Sequence, residues 1–278
     1  MGLFVLLAAG GCWLVRSNAD LEATAGDSGA GADADAGTGG DVGNAGDGGR
    51  AEGGPLSCGV GDILCDDFEH GLAGFWQTNN FPLSSTTTID STKAAHGKSS
   101  MHAHVDAPDG GAMGSPQAFI LVDQGTTTPL PPRFFVRFFV NVPSMQLTDT
   151  RSDVDALAVL FEPSMDAVEL RAAGAAMSKT FELGNFYDAQ RAVSATPFPF
   201  DAWHCIEWGI TPTSMQMWLD DMAVNDLTMM TTVKPINSEM FGWVAETQTL
   251  AAPVGQDLWY DEIVISSMRV GCMAFQEP

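Results

Sequence analysis

Basic residues are scarce in this chain: 12 Lys and Arg stand against 35 Asp and Glu in 278 residues, a formal net charge of −23. A polyanionic partner needs a basic footprint, so nucleic acid is not expected as a ligand. No sustained helical periodicity competes with the strand-like runs. No phosphate-cradling glycine loop, nucleotide fingerprint or Ser-His-Asp order is present. The apolar run from Leu3 to Val15 falls well short of the ~20 residues a spanning helix needs, and it contains Gly10 and Gly11. It is therefore not read as a membrane span.

That opening run instead ends in the small residues Ala8-Ala9-Gly10-Gly11 directly before Cys12, the layout of an export signal with its cleavage point. The order apolar, small, cysteine resembles a bacterial lipoprotein signal. The resemblance implies that residues 1–11 are removed, that Cys12 carries the lipid, and that the protein sits at the outer membrane or cell surface. A signal peptide without a lipid, or a buried N-terminal segment, remains the alternative. Residues 12–57 are chiefly Gly, Ala and Asp, as in AGDSGAGADADAGTGGDVGNAGDGG. Such a composition cannot bury enough apolar surface to offset its ordering entropy and is expected to be a disordered tether. A flexible chain of that length spans roughly 35 Å, enough to lift a domain off a membrane.

The remainder, 58–278, is about 220 residues, a usual size for one β-sandwich. It keeps 27 acidic and 10 basic residues, a net charge of −17. Beyond Cys12 the chain has Cys58, Cys65, Cys205 and Cys272, an even number that suggests two disulfides in an oxidising compartment. Cys58–Cys65 with Cys205–Cys272 is the preferred pairing and Cys58–Cys272 the rival. No Cys-x-x-Cys or matching His spacing points to zinc.

Aromatic and β-branched runs bounded by Gly and Pro predict strands at 63–69, 99–107, 117–123, 133–142, 156–162, 167–173, 203–210, 214–221, 242–247 and 258–266. The fold class is all-β. Alternation along RFFVRFFVNV sends Phe134, Val136, Phe138 and Val140 to one face and Phe135, Arg137, Phe139 and Asn141 to the other. In SSMHAHVDA it separates Met101, Ala103 and Val105 from His102, His104 and Asp106. The first set of each pair suits a core. The second suits a ligand-facing sheet.

DDFEHGLAGFW (66–76), AAHGKSSMHAHV (94–105), WHCIEWGITPTSMQMWLDD (203–221) and LWYDEIVISSMRVG (258–271), in that order, resemble the concanavalin A-like lectin/glucanase jelly roll, the LamG-like group in particular. The resemblance implies a two-sheet sandwich whose first and last strands pair. It also implies a structural calcium near Asp261, a cation that takes several oxygen ligands. The closely spaced carboxylates of the glucanase branch are missing, so hydrolysis by that route is not expected.

Three functions remain. The first is non-catalytic glycan recognition on the concave sheet, with Arg137, Phe139, Trp243 and Trp259 as candidate contacts. The second is a polysaccharide lyase, which needs a group to neutralise a uronate and a base to take the neighbouring proton; His102, His104, Arg137 and Tyr187 are the right residue types. The third is an adhesion or scaffold domain that binds protein. Membrane contact is expected only through the lipid, and the domain is expected to be a monomer.

Overall fold

Fifteen strands and no α-helix make up the described residues of the computed structural model, which are 59–81, 84–106, 117–123, 129–144, 152–162, 166–175, 178–245 and 256–272. The expected signal segment, Cys12, the tether and Cys58 lie outside them. One sheet runs in the order β13 (Met222–Met230), β12 (Ser214–Leu219), β11 (Trp203–Thr211), β6 (Phe134–Asn141), β15 (Gln256–Ser266), β4 (Ser100–Val105), β3 (Thr86–Asp90). At the far end of β15, β1 (Asp62–Asp66) takes the place that β4 holds at the near end, so the first and last strands pair. The other sheet runs β10 (Gln190–Pro197), β9 (Thr180–Asn185), β8 (Ala167–Ala175), β7 (Ser152–Phe161), β14 (Ser238–Ala245), β5 (Gln117–Asp123), β2 (Gln77–Phe81).

The core lies between the sheets and follows the period-2 pattern of the strands. Met101, Ala103, Val105, Phe134, Val136, Phe138 and Val140 enter it from the first sheet, and Ile120, Leu170, Phe181, Leu183 and Phe241 from the second. Tyr260 crosses this core: its hydroxyl lies 2.9 Å from the carbonyl oxygens of both Leu157 and Gly242. Both carbonyls sit at irregularities in the β7–β14 and β7–β8 ladders, where a carbonyl leaves the regular hydrogen-bond pattern. One phenol therefore pins sheet to sheet where the second sheet's own ladder is interrupted.

All ten predicted strands occur. The five unpredicted ones are β2, β3, β9, β10 and β13, and four of these are the outermost strands of their sheets. The largest departure concerns the outward side of β6. Phe135, Arg137, Phe139 and Asn141 are all buried, at 2–5% exposure, instead of forming an open face. A second layer covers Arg137, Phe139 and Asn141, drawn from the segment 91–99 between β3 and β4, Glu262, Trp203 and Cys272, with Ala95, Phe139, Cys205 and Cys272 forming a cluster of their own, while Phe135 lies against Trp218.

Cys205 and Cys272 are bonded, with Cα atoms 5.9 Å apart, and Cys65 is also disulfide-bonded. The rival Cys58–Cys272 pairing is thereby replaced. The bond closes a loop of 67 residues, which in the chain-entropy account stabilises the domain by about 4 kcal/mol. The double variant Cys205→Ser/Cys272→Ser is expected to lower the unfolding midpoint by about 8–16 °C, the usual conversion for a domain of this size. A differential scanning calorimetry shift below about 3 °C would contradict that.

Candidate functional site on the outer face of the first sheet

Antiparallel register builds the site. β4 turns His102 and His104 away from the core, and β15 sets Trp259 opposite His102 and Asp257 opposite His104. The Trp259 indole stacks on the His102 ring, centroids 4.5 Å apart and planes inclined by 10°. On its β6 side, Lys93 Nζ lies 3.8 Å from the indole centroid and reaches Asn141 Oδ1 at 3.3 Å. The indole Nε1 donates to Asp90 Oδ2 at 2.7 Å. The half-buried ring is thus held between an imidazole and an ammonium group, with its N–H fixed by a carboxylate.

Asp257 Oδ1 accepts from His102 Nε2 at 2.8 Å and from His104 Nδ1 at 2.7 Å, while His104 Nε2 lies 3.0 Å from Asp106 Oδ1. Both nitrogens of His104 therefore face carboxylate oxygens, and a neutral imidazole has only one N–H to offer. The arrangement calls for the imidazolium. Burial pushes His104 down, but the hydrogen bonds and charges of Asp257 and Asp106 outweigh it and hold the group above its ordinary value. For Asp90 burial acts upward, and hydrogen bonds from Thr92 and Trp259 overcome it and keep the carboxyl low. Burial pulls Lys93 down against the attraction of Asp90, Asp201 and Asp257.

Below this half-exposed array lies a buried polar group on the same face. Between β15 and β6 an irregularity at Asp261–Val264, with Glu262 at φ 45°, turns both Asp261 and Glu262 outward. Asp261 Oδ2 accepts from the backbone N–H groups of Ala95 and His96 at 2.8 and 3.0 Å, and Oδ1 accepts from its neighbour Glu262 at 2.8 Å. Glu262 pairs with Arg137 Nη1 at 2.5 Å and with His96 Nδ1 at 2.9 Å. Burial drives Asp261 up to about 7. Burial also acts upward on Glu262, but His96 and Arg137 prevail and hold it at about 2. Hydrogen bonding to Glu262 raises His96. These carboxylates fasten the 91–99 segment over β6, which is why Arg137 and Phe139 are covered.

The sequence-predicted residues therefore divide. His102, His104 and Trp259 meet. Arg137 and Phe139 share their face but are 2% exposed and locked to Glu262 and His96. Trp243 points into the core at 2% exposure, so it presents no surface to a ligand. Tyr187 stands on the turn between β9 and β10 in the second sheet, 49% exposed, with Lys234 Nζ 3.5 Å from its ring centroid. The four lyase candidates are not assembled in one place. Asp261, the residue expected near calcium, accepts backbone N–H groups on both oxygens and anchors the 91–99 segment. Asp66 is likewise an anchor, accepting from Phe68, Ala73 and the Trp76 indole. Sequence reasoning missed Asp257, Asp90 and Lys93. Asp257 could have been found by extending the alternation Trp259–Asp261 back by two residues. Nothing in the sequence pointed to Lys93.

No family model and no curated protein matches the sequence. Among solved structures, the fold is similar to the cellulose-induced protein Cip1, at 20% identity over 76% of this chain and 100% of that chain, with a TM-score of 0.58. It is also similar to the botulinum neurotoxin serotype C1 binding domain, at 8% identity, 77% and 50% coverage, and a TM-score of 0.52. A sialidase matches at 12% identity, 73% and 18% coverage, and a TM-score of 0.50. The chain thus spans about half of the neurotoxin domain and a minor part of the sialidase. The fold is the concanavalin A-like jelly-roll sandwich.

Proposed function

We propose that the domain binds a neutral or weakly charged glycan on the outer face of the first sheet, and that the protein is an exported lipoprotein displaying this domain on its acidic tether. The observation that carries the reading is the Trp259 group: a half-buried indole ringed by His102, Lys93, Asp90 and Asp257. With His102 on one face of the indole and Lys93 on the other, the group offers a sugar a rim of fixed donors and acceptors for its hydroxyls rather than an open ring to stack on. Support also comes from the neurotoxin type C neighbour, whose cell entry depends on interaction with two ganglioside molecules. Cys12 and the small residues before it support the lipid-anchored reading.

Glycan-array screening of the full chain is expected to give hits. Trp259→Ala is expected to weaken binding to the strongest of them by about tenfold, the equivalent of 1.4 kcal/mol. Undiminished binding by Trp259→Ala would place the site elsewhere. An array without hits would remove the reading. For the anchor, mass spectrometry of the mature N-terminus is expected to show a lipid on Cys12, and an unmodified cysteine would exclude it.

A further inference from the structure

We propose that His104 is a proton-operated clasp that sets the geometry of the Trp259 face. Its importance for ligand binding rests on the glycan-binding reading; its existence does not. The ring joins the start of β15, through Asp257, to the end of β4, through Asp106, at 2.7 and 3.0 Å. Asp106 is tied onward to the segment preceding β3, its backbone N–H donating to Ser85 Oγ at 3.0 Å. Asp257 uses the oxygen that holds His104 to hold His102 as well, and His102 is the ring stacked on Trp259. One proton on His104 therefore influences three segments and the platform.

When that proton leaves, one ring nitrogen presents a lone pair to a carboxylate oxygen at hydrogen-bond distance, which is repulsive. Either Asp106 or Asp257 must draw back. Withdrawal of Asp257 takes its shared oxygen from His102, the ring stacked on the indole, and so changes the polar surroundings of Trp259. The groups facing His104 are Asp257 from β15 and Asp106 and His102 from its own strand, while β3 contributes the uncharged Thr86 opposite it. Deprotonation makes the group one unit more negative, with Lys93 as the nearby cation over the indole.

His104 is raised above its unfolded value, so the sign is set: the clasp is closed below the ordinary His value of 6.5 and opens as pH rises through the higher folded value. The test needs no ligand. NMR titration of the His ring signals of the full chain is expected to show His104 changing charge above pH 6.5, and Asp106→Asn is expected to move that midpoint down. The fluorescence difference between wild type and Trp259→Phe isolates Trp259 and is expected to change over the same pH range. That change should vanish in His104→Gln, whose unfolding midpoint at pH 8 reports whether it folds. A midpoint at or below 6.5, or a Trp259 transition that survives in folded His104→Gln, overturns the clasp. A blank glycan array with the transition intact removes only the glycan reading. Array hits whose affinity does not vary with pH between 6 and 9 remove the clasp's role in binding and leave both its existence and the glycan reading standing.

Discussion

Gly242→Ala is expected to destabilise the domain by about 4 kcal/mol or more, combining the strain of an unfavourable backbone region with an overpacked core. A methyl at this position would sit 2.3 Å from the carbonyl oxygen of Ala118 and 2.5 Å from Cα of Phe119, both on the adjacent β5. Backbone cannot swing away as the tip of a side chain can. The residue also has φ of 148°, which L side chains rarely adopt. A shift of β14 to relieve the clash would move the Gly242 carbonyl away from the Tyr260 hydroxyl that joins the two sheets. Little soluble protein, or an unfolding midpoint lowered by at least 8 °C, is the expected result. A change of less than about 1 kcal/mol in urea unfolding would show that the two strands do not approach as closely as described.

Arg137→Ala is expected to cost about 3–5 kcal/mol, because it strips a buried carboxylate of its guanidinium. Glu262 is 14% exposed and held at about 2, with burial opposed by His96 and Arg137; without Arg137, only His96 offsets the burial. Loss of packing contributes too, since the guanidinium carbon sits 5.1 Å from the Phe139 ring centroid. Replacing both partners, as Arg137→Met/Glu262→Gln, is expected to recover at least half of the loss, since no unpaired charge then stays buried. If the double variant is as unstable as the single, packing rather than charge is the cause.

The same buried group sets the pH dependence of stability. The depressed Glu262 contributes stability that is present above its unfolded value of 4.5 and lost as pH falls towards 2. Raised His96 contributes stability that is present below 6.5 and lost as pH rises through its folded value. Asp261, at about 7 against 3.8 unfolded, retains its proton better when folded, so stability declines across that interval as pH rises. Together the three place the maximum well on the acid side of neutral, near pH 4, where the gain from Glu262 ends and the loss from Asp261 begins. A thermal midpoint that climbs steadily from pH 5 to pH 8 would contradict these protonation states.

How much of this was legible depends on whether a strand has one buried face. RFFVRFFVNV and SSMHAHVDA alternate cleanly, and their inward sets are the core residues observed. QTNNF and TTTID became β2 and β3, each at one edge of its sheet. Being polar, they carry no hydrophobic period to detect. β13 was missed for a second reason. The irregularity between Gln216 and Trp218 in its ladder with β12 shifts the buried positions to Val224, Leu227 and Met229, so alternation fails within the strand.

By itself the sequence determined the fold class, the inward faces of the long strands and the outward placement of His102 and His104, because side-chain direction in a strand follows from local parity alone. Tertiary structure decided which outward residues stay open. Arg137 and Phe139 are closed off because Asp261 captures the backbone N–H groups of Ala95 and His96, partners 166 and 165 residues away in the chain. Asp257 joins two histidines that precede it by more than 150 residues. Such contacts arise from the register of β15 between β4 and β6, a global property that no local pattern encodes.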